Sequence, residues 1–162
     1  MNKKSEIERK FLVKRMPDLT AVKGEIQERY FLELGNIEKR ITKIDDKYFY
    51  EEKSRGNGLT SKKVIREISG VEFEKLKKIS IKSLKRKCYI LTIHPEVSIK
   101  VYDDEYLGLV RAEFEFESEN EAKSFAPPEW CGIEITKTDL GRDGKLIKLE
   151  GKEFLNLLCC SK

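Results

Sequence analysis

The sequence predicts an α+β fold built mainly on an antiparallel sheet, which either closes into a barrel or packs as a sandwich. Nine segments show the alternation of apolar and polar residues that is typical of strands. Short turn signals, such as RGNG at 55–58 and HPE at 94–96, separate many of them. Such series of short strands joined by tight turns are typical of antiparallel barrels and sandwiches. The strand-like segments are 6–13, 25–34, 38–44, 47–54, 62–68, 87–93, 97–102, 109–117 and, with a weaker pattern, 132–137.

Three further segments have helical features. Residues 71–85 carry apolar side chains at partly helical spacing. Ser118 stands three residues before Glu121, which is the spacing of a capping box at a helix start. The segment GKEFLNLLCC, at 151–160, has the pattern of a short amphipathic helix. We therefore expect a few helices to flank the sheet.

The composition indicates one domain, residues 1–162, with an unusually charged surface or interior. Charged residues make up 38% of the chain, yet 33 basic and 29 acidic residues leave a net charge of only +4. This balance argues against a nucleic-acid binder, and we expect the basic run SLKRK at 83–87 to be a solvated helix end. Since no long apolar run is present, neither a signal peptide nor a membrane helix is predicted, and we expect a cytoplasmic protein with no membrane contact.

The cysteines and the single histidine give little support to zinc or histidine chemistry. No two of the four cysteines have CxxC spacing, so we expect free thiols at Cys88, Cys131, Cys159 and Cys160. His94 is the only histidine, and it precedes a proline in a turn-like segment. Histidine-based triads and histidine-rich metal sites are therefore weak hypotheses for this chain.

Several predicted strands carry charges of both signs on one face, because residues two apart in a strand share a face. Glu6, Glu8 and Lys10 share one face, and Glu113 and Glu115 share another. These faces are either the solvent side of a sandwich or the lining of a barrel whose apolar outside is covered by helices. A charged lumen would suit a polyphosphate with divalent cations, because basic groups hold phosphate and carboxylates hold Mg²⁺ or Mn²⁺.

Four motifs resemble the CYTH family, also called the triphosphate tunnel metalloenzymes. EIERKFLV at 6–13 resembles the family's ExExK signature, and KRITKIDDKYFYEEK at 39–53 resembles its arginine strand followed by a lysine strand. LGLVRAEFEFES at 107–118 resembles its GLxxAExE strand, and APPEWCGIEIT at 126–136 resembles its LPxWxGxEVT segment. The motifs occur in family order and span nearly the whole chain.

The resemblance implies an eight-stranded antiparallel β-barrel, a triphosphate tunnel with a charged lumen, flanked by helices. It implies two possible sites for Mg²⁺ or Mn²⁺, and Glu6, Glu8, Glu113 and Glu115 match the family's acidic positions. It implies catalytic roles for Glu6, Glu8 and Lys10. The expected phosphate-binding residues are Lys10, Arg40, Lys53, Lys63, Arg66, Lys87, Lys100 and Arg111.

The sequence also departs from the family pattern inside the predicted lumen. Thr42 replaces the second arginine of RxR, while Lys63 and Ile65 stand where two acids are expected. Ser98 or Lys100 occupies the position of an expected metal-binding aspartate. The family's tyrosine-rich C-terminal segment becomes LGRDGKLIK at 140–148. Because these changes make the lumen more basic, we expect triphosphate binding to survive with only one metal site.

Three functions remain open from the sequence. The first is a metal-dependent triphosphatase that hydrolyses a phosphoanhydride bond of tripolyphosphate, thiamine triphosphate or a nucleoside triphosphate. The second is a non-catalytic binder of a triphosphate or polyanion with a degenerate metal site. The third is a class IV-type adenylyl cyclase, which needs a base-recognition pocket that no motif identifies. The organic part of the substrate is not predicted, and a homodimer through an exposed helix or sheet edge stays open.

Overall fold

The computed structural model describes residues 2–56 and 58–162, which form nine strands and four α-helices. The strands are β1 (Asn2–Val13), β2 (Gly24–Glu33), β3 (Ile37–Ile44), β4 (Lys47–Arg55), β5 (Thr60–Glu67), β6 (Lys82–Ile93), β7 (Glu96–Tyr102), β8 (Val110–Phe116) and β9 (Cys131–Glu134). The helices are α1 (Gly70–Lys77), α2 (Glu119–Ser124), α3 (Asp143–Leu146) and α4 (Gly151–Cys160), with short 3₁₀ turns at Asp104–Tyr106 and Asp139–Gly141.

Eight of the strands close into an antiparallel barrel in the order β1-β5-β4-β3-β2-β6-β7-β8. The closing strand is β1, which pairs with β5 through residues 2–7 and with β8 through residues 7–12. The short β9 adds to the far end of β1 through Phe11 and Val13. The prediction of an eight-stranded antiparallel barrel is therefore confirmed, and the sandwich alternative is wrong.

Two apolar clusters cover the outer wall of the barrel. Ile41, Ile68 and Phe73 form one of them beneath α1. Phe11 and Phe114 anchor the other, against aromatic rings of the chain that follows β8. Phe11 alternates along β1 with the charged side chains, so its face of the strand is outside and theirs is inside. Burying side chains of this size contributes about 1.5–3 kcal/mol each, which stabilises the wall from outside.

A third apolar cluster fills one end of the barrel interior. Leu12 and Tyr102 belong to it, and each shares its strand face with the lumen charges that precede it. Leu140, Leu146 and Phe154 complete the cluster from the C-terminal segment that carries α3 and α4. Packed side chains thus close part of this end of the lumen, and α3 lies against it.

The helix boundaries follow from local capping. The Ser69 hydroxyl accepts a hydrogen bond from the Glu72 amide and starts α1, and Ser118 does the same for Glu121 at the start of α2. The single helix predicted over 71–85 is wrong, because α1 ends at Lys77 and the chain then forms β6. In the region after α1 the burial alternates with a period of two, which is a strand pattern.

The remaining general predictions have the following outcomes. All four cysteines are free, with Cys88 and Cys131 buried and Cys159 and Cys160 exposed. His94 lies exposed in the turn between β6 and β7, away from the lumen. Among the described residues, no helix combines the length and the apolar character needed to cross a membrane.

Candidate functional site

The lumen of the barrel holds a small cavity whose described lining consists only of charged side chains. Its volume is about 80 Å³, and nine basic and six acidic residues line it. Each of the eight barrel strands contributes through the side chains of its inner face, and α3 adds Asp143. The lining residues are Glu6, Glu8, Lys10, Arg29, Arg40, Lys53, Arg55, Lys63, Arg86, Glu96, Lys100, Arg111, Glu113, Glu115 and Asp143.

Three carboxylates form an acidic trio at one side of this lumen. Glu6 and Glu8 lie on β1, and Glu115 lies directly opposite Glu8 on β8. One carboxylate oxygen from each residue lies within 4.8 Å of the other two. Carboxylates brought together in this way repel each other unless cations lie between them, and oxygen ligands are those that Mg²⁺ and Mn²⁺ prefer. The trio fits a single divalent cation.

Glu113, predicted as a fourth metal ligand, is engaged by basic side chains instead. Lys100 contacts one of its carboxylate oxygens, and the Arg111 Nε donates to the other at 2.8 Å. Lys10 lies 3.8 Å away. Although burial raises the pKa of the Glu113 carboxyl, the attraction of Lys10 and Lys100 outweighs it and holds that pKa well below its usual range. The structure thus brings three of the four predicted ligands together and compensates the fourth with cations.

Lysines surround the acidic trio. The Lys53 Nζ donates to Glu6 Oε2 at 2.9 Å and lies 3.4 Å from Glu8 Oε2, and Lys10 lies 3.4 Å from the same Glu8 oxygen. Lys63 lies 3.8 Å from Glu6. Burial lowers the pKa of Lys10 to about 8, despite the opposing effect of nearby carboxylates. These ammonium groups partly neutralise the trio.

A buried arginine cluster lies next to the apolar plug, and Asp143 from α3 holds it together. Asp143 Oδ2 accepts hydrogen bonds from Arg29 and Arg86, each at 2.9 Å. Its Oδ1 accepts from Arg111 at 2.9 Å and from the Tyr102 hydroxyl at 2.6 Å. Burial opposes ionisation of Asp143, but the surrounding arginines outweigh it and keep its pKa well below the usual value. The carboxylate is therefore an internal counter-ion for three guanidinium groups.

Arg40, predicted to bind phosphate, faces the lumen between two acids. Its guanidinium contacts Glu38 on its own strand and Glu51, which lies opposite on β4. Burial lowers the pKa of Arg40, yet Glu51 and Glu38 raise it by more. Thr42, the next inward residue of β3, is fully buried. Arg40 is thus a lumen cation already shared between two carboxylates.

Two predicted phosphate-binding residues lie outside the barrel. Arg66 donates to Glu72 at the start of α1 and stacks 4.9 Å over the Tyr50 ring. Lys87 is exposed on β6, and its neighbour Arg86 faces the lumen instead. The physical reason is the two-residue period of a strand, which puts Arg66 on the opposite face from Lys63. The basic run at 83–87 likewise lies on a strand and not at a helix end.

The other predicted lumen residues line the cavity: Glu6, Glu8, Lys10, Arg40, Lys53, Lys63, Lys100, Arg111, Glu113 and Glu115. The sequence reasoning missed five lining residues: Arg29, Arg55, Arg86, Glu96 and Asp143. The alternation of β2, which buries Gln27, Arg29 and Phe31, contained a signal for Arg29. No local pattern pointed to Asp143, because its partners lie on strands far away along the chain.

Comparison with known proteins identifies the family. No family model matches the chain. An inorganic triphosphatase of Nitrosomonas europaea is 31% identical over 137 residues, which cover 82% of this chain and 90% of that protein. The chain belongs to the CYTH family of triphosphate tunnel enzymes.

Solved structures agree with this CYTH assignment. The structure of an inorganic triphosphatase matches with a TM-score of 0.65 and 26% identity, covering 90% of this chain and 95% of the other. A putative adenylate cyclase from Bacillus halodurans matches with a TM-score of 0.58, covering 80% of this CYTH chain and 96% of the other. At 16% identity this second likeness concerns the fold alone.

Proposed function

We propose that this protein is a metal-dependent triphosphatase that binds a small-molecule triphosphate or polyphosphate in the lumen and hydrolyses a phosphoanhydride bond. The observation that carries the proposal is the acidic trio of Glu6, Glu8 and Glu115, with Lys10 and Lys53 within 3.4 Å of its oxygens. A cation site directly beside phosphate-binding ammonium groups is what phosphoryl transfer requires. The identity of the Nitrosomonas relative as an inorganic triphosphatase supports the same activity.

Substrate binding would exchange the ion pairs of the lumen. The cavity of about 80 Å³ is small because carboxylates and cations fill the barrel. A phosphate chain offers new oxygens to Lys10 and Lys53, which now bind Glu6 and Glu8. The two glutamates, freed from the lysines, are then available to a divalent cation. Metal and substrate should therefore each increase the affinity for the other. The phosphates would take the lysines away from the glutamates, and the metal would take the glutamates away from the lysines.

Glu6, Glu8 and Glu115 would hold one Mg²⁺ or Mn²⁺ ion, which would neutralise charge and polarise a phosphoryl oxygen when bound. A second ion is not expected, because Glu113 is compensated by Lys100 and Arg111. An ammonium group supplies positive charge near the phosphates, but it is not a Lewis acid. We therefore expect one divalent cation per chain.

The chain's own residues would perform positioning and proton handling. Lys10, Arg40, Lys53 and Lys63 would hold the reacting phosphate from the lumen wall, with Lys53 and Lys63 side by side on neighbouring strands. Glu8 stays ionised at neutral pH, because Lys10 and Lys53 lower its pKa by more than burial raises it. As an anion it can accept a hydrogen bond from the attacking water and so orient it toward phosphorus. The reaction adds water across one P–O–P bond and releases a phosphate group.

A phosphate-release assay with tripolyphosphate, with and without Mg²⁺ or Mn²⁺, tests this function. We expect turnover that needs the divalent ion and falls at least about 100-fold in Glu8→Gln, which loses a ligand charge and the water contact. Glu74→Gln, an exposed glutamate on α1, is the matched control and should keep full activity. Full divalent-dependent turnover in a folded Glu8→Gln protein would contradict the proposal.

A non-catalytic polyphosphate binder is the second candidate, and the contact between Lys100 and Glu113 favours it. Such a protein would be stabilised by tripolyphosphate against heat and would release no phosphate with either metal. Calorimetry with Mn²⁺ counts the bound ions in both cases. A class IV-type cyclase is not favoured, because the described lumen lining contains only charged residues and no ring on which a base could stack.

A further inference from the structure

A second cavity, which we call the basic mouth, adjoins the lumen at one end. Its volume is about 400 Å³, which is larger than the lumen cavity itself. Lys53 and Arg55 line both cavities, so the two spaces share a wall. The lining residues of the mouth are Leu34, Gly35, Asn36, Glu38, Lys53, Arg55, Arg142, Gly144, Lys145 and Lys148.

The cations of the mouth differ from those of the lumen in their partners. Within residues 2–56 and 58–162, Arg55, Arg142, Lys145 and Lys148 take part in no ion pair. Glu38 is the single carboxylate among the described lining residues, and Arg40 already engages it. The lumen cations, by contrast, nearly all contact a carboxylate. The mouth therefore has an uncompensated positive charge.

Two arginines at the junction show the consequence of this imbalance. Although Arg55 is open to solvent, desolvation by the surrounding protein and repulsion from Arg142 lower the pKa of its guanidinium. The Arg142 Nε is buried and has no hydrogen-bond partner in the described part of the protein. A buried donor without a partner costs free energy, and an anion at this place would satisfy the donor and relieve the repulsion. The unpartnered Arg142 donor is independent of the acidic trio, and both observations point to an anionic ligand.

The chemistry of the lining selects among anions. Leu34 is the only large apolar residue among the described lining residues, and none of those residues is aromatic. A nucleobase or another flat ring would find no stacking partner there. Repeated phosphate groups, in contrast, match a series of guanidinium and ammonium donors.

We propose that the basic mouth binds the phosphate groups of a linear inorganic polyphosphate that extend beyond those held in the lumen. The preferred substrate is then longer than tripolyphosphate and has no organic part. This inference rests on the proposed function for the lumen and specifies its substrate class. The exposed Lys145 and Lys148 make the outer contacts, and Arg55 and Arg142 connect them to the lumen.

The test compares two ligands by calorimetry at fixed ionic strength: tripolyphosphate and size-fractionated linear polyphosphate. In the wild-type protein we expect the longer chain to bind about tenfold more tightly, since additional charge-assisted hydrogen bonds form in the mouth. In K145Q/K148Q that advantage should disappear, while the affinity for tripolyphosphate changes by less than about twofold. K152Q/K162Q removes the same charge from exposed lysines elsewhere and should keep the wild-type preference.

The outcomes separate this inference from the proposed function. If tripolyphosphate is hydrolysed but K145Q/K148Q loses affinity for both ligands equally, or for neither, the mouth is not an extension of the site. If long-chain binding depends on Lys145 and Lys148 while no hydrolysis occurs with any metal, the inference about the mouth is supported and the proposed triphosphatase function is contradicted. A long-chain preference that K152Q/K162Q also abolishes would show general charge attraction and would overturn the inference.

Discussion

Replacing Asp143 by asparagine should destabilise this protein more than any other single change to its lumen. The carboxylate is 4% exposed and accepts hydrogen bonds from Arg29, Arg86 and Arg111 at 2.9 Å each. Asparagine keeps the size of the side chain but removes the negative charge, which leaves three guanidinium groups without their shared counter-ion. Breaking a buried pair in this way costs about 3–5 kcal/mol. Since domains are stable by about 5–15 kcal/mol, a large share of the total is lost.

Urea and thermal unfolding of D143N measure this loss, with D139N as the exposed matched control. A loss of this size should lower the melting temperature by roughly 10 °C in a chain of this length. Tripolyphosphate should then stabilise D143N by more than it stabilises the wild-type protein, because the anion can replace the missing charge.

The pH dependence supplies a second check on Asp143. Its pKa in the folded protein lies well below the usual 3.8, so its contribution is fully present above that value and is lost as the pH falls through the folded pKa. The stability difference between wild-type protein and D143N should therefore shrink below about pH 3.8. A difference under about 1 kcal/mol at neutral pH, or one that does not change in acid, would refute the reasoning.

Two further predictions concern packing and thiol access. Gly141→Ala should cost about 1–3 kcal/mol in urea unfolding, because the added Cβ would lie 1.9 Å from the backbone oxygen of Ile135. Gly35→Ala adds its Cβ in open space and is the control; equal stabilities of the two variants would contradict this close approach. A thiol reagent at pH 8 should label two cysteines per folded chain, the exposed pair at 159–160. The buried thiols should react only after unfolding. Burial also raises the pKa of Cys131 to about 11, which disfavours its reactive thiolate. Rapid labelling of all four cysteines would show that reagent reaches the buried side of the barrel wall in the folded protein.

The strands and most of the charged lining were predictable because each depends on a local pattern, the alternation of side chains between the two faces of a strand. The acids of β1 and β8 share a face with their i+2 neighbours, so EIERK and AEFEF group them on one face of each strand, and the family resemblance assigned that face to the lumen. The same rule explains the errors. Arg66 and Lys87 each lie an odd number of residues from a lumen-facing neighbour, Lys63 and Arg86, and a shift of one residue moves a side chain to the other face.

The arginine cluster was not predictable, because its contacts join distant parts of the chain. Asp143 lies 114 residues from Arg29 and 57 from Arg86. The segment that carries Asp143 differs from the family pattern, so the resemblance gave it no role. Likewise, no pattern in the sequence shows that Lys100 would contact Glu113, since the two meet only through the pairing of β7 with β8.

The position of β1 as the closing strand has a consequence for the order in which the protein can mature. β1 is synthesised before β5 and β8, its two neighbours in the barrel, and β8 ends only at Phe116. Until β8 has been made, one edge of β1 has no neighbour and Glu115 is missing from the side of Glu6 and Glu8. The growing chain therefore cannot assemble the acidic trio before the ring of strands is complete. Contacts between residues so distant in sequence form slowly. A released chain therefore passes through a period in which one edge of β1 is unpaired, before it becomes active.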